Sequence, residues 1–71
     1  MSTEFYILVN INNLNYYENE DGDTFKLDRA MRFYTYDECN DELAMLDDDV
    51  RGNYAVYKVV QQLTSNFERV V

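Results

Sequence analysis

Phe5, Ile7, Val9 and Ile11 alternate with Tyr6, Leu8 and Asn10, the period-two pattern of an extended strand whose successive side chains leave opposite faces. Apolar groups lie on both faces, so the strand is expected at the centre of its sheet. Asn12 and Asn13 end it, and Leu14-Asn15-Tyr16-Tyr17 begins a second strand. Glu18 to Asp23 reads as a turn, because Asp21-Gly22 supplies a residue that tolerates positive φ. Thr24 to Leu27 then returns as a short third strand.

The segment from Thr35 to Asp49 holds seven of the fourteen acids and no base. It opens with Thr35-x-x-Glu38, a capping-box signature for a helix start. At about 100° per residue, Tyr36, Cys39, Leu43, Leu46 and Val50 fall within an arc about 80° wide. Asp37, Glu38, Asp41, Glu42, Asp48 and Asp49 fall within a second arc about 140° wide. One helix from Tyr36 to Asp49 or Val50 is therefore expected, with an apolar edge inward and a carboxylate face outward. Asp28 to Met31 fits a single helical turn before it, with Met31 and Phe33 turned to the core. Gly52-Asn53 is expected to stop the long helix, the glycine taking a left-handed cap. Tyr54 to Val60, rich in valine and tyrosine, reads as a strand. Phe67 to Val71 reads as a weaker one, at a sheet edge or a dimer contact. The fold class expected is α+β, one domain over residues 1–71, with a small antiparallel sheet of three to five strands and one amphipathic acidic helix on one face.

Composition narrows the partners. A chain of 71 residues buries only about 60% of its extended surface, so dimerisation is an open route to a larger core. The net charge of −8 disfavours direct binding to nucleic acid or anionic membrane, which lysine and arginine drive. It suits a protein with a basic surface, or serves solubility alone. One cysteine allows no internal disulfide. Neither a secretory leader nor an apolar run of about 20 residues is evident, and a cytoplasmic location is the expectation.

Nothing in the chain reads as an active site. There is no histidine, the usual general base and metal ligand. Cys39 lies at the centre of the apolar arc and reads as a core residue, with acids rather than cations beside it. Laid over the calcium-loop pattern, Glu18 to Asp23 matches at Asn19, Asp21 and Gly22 but puts Tyr17 at the first ligand position. A hairpin turn is the better reading, and neither metal nor cofactor is expected.

The acidic helix is the leading candidate surface. Six carboxylates over about 18 Å give roughly one charge per 3 Å, close to the phosphate spacing of about 3.4 Å along a DNA strand. Asp47, Asp48 and Asp49 sit where the macrodipole of such a helix disfavours anions, and Asp37/Asp41 and Glu38/Glu42 repel at four-residue spacing. A sequence that tolerates this repulsion is a candidate for selected binding. The seven tyrosines are a second lead, since some are expected to project outward as aromatic anchors.

The strand Phe5-Tyr6-Ile7-Leu8-Val9, the Asp21-Gly22 tip, the Leu27-Asp28-x-Ala30-x-x-Phe33 segment, the helix start Thr35-Tyr36-Asp37-Glu38 and the Tyr54-x-Val56-Tyr57-Lys58-Val59 strand together resemble small accessory proteins of bacteriophages. The acidic, aromatic, proline-free composition is similar to that of phage inhibitors that mimic DNA, including some anti-CRISPR proteins. That resemblance implies an inhibitor occupying the nucleic-acid groove of a host protein.

The reading that results is a non-enzymatic inhibitor that binds a basic, nucleic-acid-handling protein. Its expected contact residues are Asp37, Glu38, Asp41, Glu42, Asp48 and Asp49, extended by Glu20, Asp21 and Asp23 on the hairpin. Two alternatives stay open. One is an oligomeric sponge for a signalling nucleotide, its phosphate held by Lys26, Arg29 and Arg32 among the six bases. The other is a structural or assembly factor whose acidity keeps it soluble.

Overall fold

A computed structural model describes residues 3–19, 22–61 and 65–70. Five strands, β1 (Thr3–Asn10), β2 (Tyr16–Asn19), β3 (Gly22–Thr24), β4 (Tyr54–Gln61) and β5 (Ser65–Val70), form one antiparallel sheet in the order β3-β2-β1-β4-β5. The helix α1 (Tyr36–Met45) and a second short helix, α2 (Asp48–Arg51), lie between β3 and β4 in the chain. A 3₁₀ turn at Leu27–Arg29 precedes them.

β1 is central, as its two apolar faces require. Against one face, Phe5, Ile7, Val9 and Val59 pack with Ala30, partly covered by Tyr16, Leu27 and Tyr57. On the other, Leu8, Tyr17 and Val56 pack with Cys39 of α1, flanked by Leu43, Leu46 and Met31. Phe5, Ile7, Leu8, Cys39 and Val59 are wholly buried, and burying an apolar side chain of this size contributes about 1.5–3 kcal/mol. The connection from the 3₁₀ turn to α1 rounds β1 where β2 has diverged. Phe33 exchanges both backbone hydrogen bonds with Tyr6 (2.6 and 2.9 Å), and the Met31 amide donates to the Tyr17 carbonyl at 2.9 Å. This crossing carries the chain from Ala30 on one face to Phe33 on the other.

Several boundaries differ from those read in the sequence. The second strand starts at Tyr16, because Leu14 takes a left-handed conformation (φ 63°) in the preceding turn. There Asn10 Oδ1 and Asn13 Oδ1 accept from the Asn12 and Asn15 amides, the local bonding that makes asparagine a turn former. The third strand ends at Thr24, where it was expected to begin. Thr24 Oγ1 accepts from the Lys26 amide and turns the chain out of the sheet, which leaves Phe25 exposed. β5 lies at the sheet edge as expected, while Val71 and the hairpin tip Glu20-Asp21 lie outside the described residues.

The single long helix is the main correction. α1 ends at Met45, Leu46 is extended (ψ 154°), and the chain restarts as α2 at Asp48. A continuous helix would have placed three aspartates at its negative end; the break places Asp47 at the N-cap of α2 and Asp48 and Asp49 in its first turn, where anions are favoured. Gly52 caps α2 in a right-handed conformation (φ −66°), so its freedom to adopt positive φ is not used.

Candidate functional site

The start of α1 follows from Thr35. Its hydroxyl oxygen accepts from the Glu38 amide at 3.2 Å and its O–H donates to Glu38 Oε1 at 3.1 Å, satisfying one orphan donor of the first turn. From that cap the helix presents Cys39 inward and Asp37, Glu38 and Asp41 to solvent.

Glu42 departs from the expected outer face. It is half-buried and its Oε2 accepts from the Tyr17 hydroxyl at 2.9 Å, tying α1 to β2. Its place on the wheel, at the border of the apolar arc, was the signal for this. Asp23 departs in the same way. It does not project from the hairpin: it is half-buried, accepts from the Tyr54 hydroxyl and accepts from Asn10 Nδ2 at 3.3 Å. Burial first, and then the hydrogen bond and charge of Asp23, push the Tyr54 phenol well above its usual range. Both carboxylates therefore serve as internal anchors for tyrosine hydroxyls.

Asp48 and Asp49 are exposed but sit beyond the break, so the uninterrupted row of six carboxylates is replaced by two exposed triplets: Asp37, Glu38 and Asp41 on α1, and Asp47, Asp48 and Asp49 at α2. The only base within residues 36–51 is Arg51. Its Nη2 donates to the Ala44 and Leu46 carbonyls at 3.1 and 2.9 Å, and its Nη1 pairs with Asp48 Oδ1 at 2.9 Å. The guanidinium closes the C-terminus of α1 and neutralises only one of the six exposed acids.

The bases named for the nucleotide alternative face different partners. Arg29 pairs with Glu18 at 3.2 Å, Arg32 lies 4.2 Å from the centre of the Phe5 ring, and Lys26 Nζ lies 5.9 Å from that of Phe25. The tyrosines are also more internal than expected. Tyr6 meets Tyr36 edge-on, Tyr17 meets Tyr54 edge-on at 5.7 Å, and Tyr16 stacks on Phe67; Tyr34 alone is exposed.

A feature not read from the sequence lies beside the junction of α1 with α2. A cleft of about 540 Å³ opens between the β2–β3 hairpin and the junction of α1 with α2. Tyr17 and Tyr54 form one wall, Met31, Met45, Leu46 and Val50 supply apolar surface, and Glu42 and Asp47 contribute carboxylates. Met45 is 80% exposed, large for an apolar side chain on a helix. The cleft depends on the helix break, which sequence periodicity did not reveal.

Cys39 is buried, and burial followed by the charge of Glu42 pushes its thiol up to about 12, so it is a packing group without thiolate character at neutral pH. Among the described residues, no three acidic or cysteine side chains are grouped to hold a metal ion, and no helix is long and apolar enough to cross a membrane. No family model matches the chain, and neither a curated protein nor a solved structure matches it.

Proposed function

We propose that the chain is a non-enzymatic binding protein that blocks a basic, nucleic-acid-handling protein through its acidic α1–α2 surface. The observation that carries this reading is the exposure of Asp37, Glu38, Asp41, Asp47, Asp48 and Asp49 along one stretch whose single base, Arg51, is turned back onto its own backbone and Asp48. Such a surface attracts cations over a Debye length of about 8–10 Å and speeds encounter with a positive partner. The compositional similarity to phage-encoded acidic inhibitors supports a bacterial host protein as the target. The two triplets act as separate groups of phosphate surrogates, divided by the break at Leu46.

The test is affinity capture from bacterial lysate at low salt, followed by elution with salt and, separately, with duplex DNA. A nucleic-acid-binding protein displaced by both, and no longer held by the folded Asp37→Lys/Glu38→Lys/Asp41→Lys variant, is the expected result. Equal retention by that variant would sink the proposal.

A further inference from the structure

We infer that the cleft beside the α1–α2 junction is a seat for one arginine side chain of the basic partner, a deepening that rests on the function proposed above. Its shape and its chemistry point the same way. A volume of about 540 Å³ is within the range of sites that enclose small organic groups. Met31, Met45, Leu46 and Val50 offer a surface for an aliphatic stem, the way long cationic side chains usually bury their methylenes. Glu42 and Asp47 then stand where the charged head would arrive.

An apolar ligand would strip water from these carboxylates and leave them uncompensated. A cation compensates them, and among the described residues three of the bases are already engaged elsewhere. Arg51 is held by the Ala44 and Leu46 carbonyls and by Asp48, Arg29 by Glu18, and Lys58 by Glu4 at 3.7 Å. Both acids keep acceptor capacity. Among the described residues Glu42 is bonded only through Oε2, to Tyr17, and Asp47 caps α2 without a side-chain hydrogen bond. The two carboxylates come from different elements, α1 and the α1–α2 junction. A planar guanidinium with five donors can address both and lie against the Tyr17 and Tyr54 rings, whereas an ammonium is a strongly hydrated point charge.

The experiment is an amide-resolved NMR titration of the folded chain with N-acetyl-arginine amide, with N-acetyl-citrulline amide as the uncharged isostere. Saturable shifts at Asn19, Gly22, Met31, Leu46, Asp47 and Tyr54 with arginine, and none with citrulline, are expected. In the Asp47→Asn/Glu42→Gln variant the Kd should rise about tenfold, the equivalent of roughly 1.4 kcal/mol. The single Asp47→Asn change, at an exposed position, should show part of that rise with the tyrosine anchor untouched. Equal shifts with citrulline, or shifts confined to Asp37, Glu38 and Asp41, overturn the assignment. The two proposals separate cleanly. Salt-sensitive capture of a partner without arginine binding in the cleft leaves the proposed function standing and removes the seat. Arginine binding without any captured partner does the reverse.

Discussion

The guanidinium of Arg51 donates to the carbonyl oxygen of Leu46 at 2.9 Å, so a side chain from the end of α2 closes the end of α1. It reaches the Ala44 carbonyl as well, at 3.1 Å. The last carbonyls of a helix lack intrahelical partners, and a forked cation can satisfy two of them at once. This contact ties the end of α2 to the end of α1, at the junction between the two acidic triplets.

Arg51→Ala should destabilise the chain by about 1–2 kcal/mol, mainly through the lost charge-assisted hydrogen bonds, since the exposed pair with Asp48 adds little. Arg51→Lys restores the charge but not the fork and should recover less than half of the loss. Urea denaturation measures both. A lysine variant as stable as the parent would show that charge alone matters there.

Gly52→Ala should stabilise the fold by about 0.4–1 kcal/mol, because alanine restricts the unfolded chain at a position whose native backbone it can adopt. The residue sits at φ −66° and ψ −11°, and an added Cβ meets nothing within 4 Å. A fall in thermal midpoint would mean that the glycine adopts another conformation in solution.

Tyr54→Phe should cost about 1–3 kcal/mol by leaving the half-buried Asp23 carboxylate with Asn10 as its remaining partner among the described residues. Asp23→Asn, which keeps an acceptor, should cost less than Asp23→Ala. A double-mutant cycle of Tyr54→Phe with Asp23→Ala measures the coupling, and additive losses would show that the two side chains do not interact in solution.

Stability should be flat at neutral pH and fall in alkali. The folded Cys39 thiol holds its proton up to about 12, against 9.0 in the unfolded chain. Its contribution is therefore complete below pH 9 and is lost as pH rises from 9 towards 12. Tyr54, also raised, extends the loss upward from its usual value of 10.0. Cys39→Ala should lower the plateau through the cavity it leaves yet flatten the fall that begins near pH 9. An unchanged alkaline slope in that variant would rule out the thiol as its source. The native thiol should also resist alkylation at pH 8 and react once urea unfolds the chain.

Much of the frame was legible locally. The alternation from Phe5 to Ile11 placed β1 at the centre of the sheet, the Thr35–Glu38 cap marked the start of α1, and the valine- and tyrosine-rich run from Tyr54 marked β4. These signals belong to single strands or single turns, where side-chain period and capping chemistry act between residues close in sequence. Two strand ends were not legible although their causes are local: Thr24 ends β3 through its bond to the Lys26 amide, and Leu14 delays β2 by adopting a left-handed turn, neither of which side-chain alternation records.

The sequence by itself determined the layers, the apolar edge of α1 and the concentration of acids between Asp37 and Asp49, because hydrophobic period and charge are properties of the chain. Only the tertiary structure decided which acids face the solvent. Glu42 and Asp23 turn inward because tyrosine hydroxyls on β2 and β4 come within hydrogen-bond reach of them when the sheet assembles. The acidic helix divides after Met45 because Arg51 can cap α1 once the chain folds back, and the break puts three aspartates at the favourable end of a new turn. Helical period carries no record of such contacts, so the cleft they enclose appears only in three dimensions.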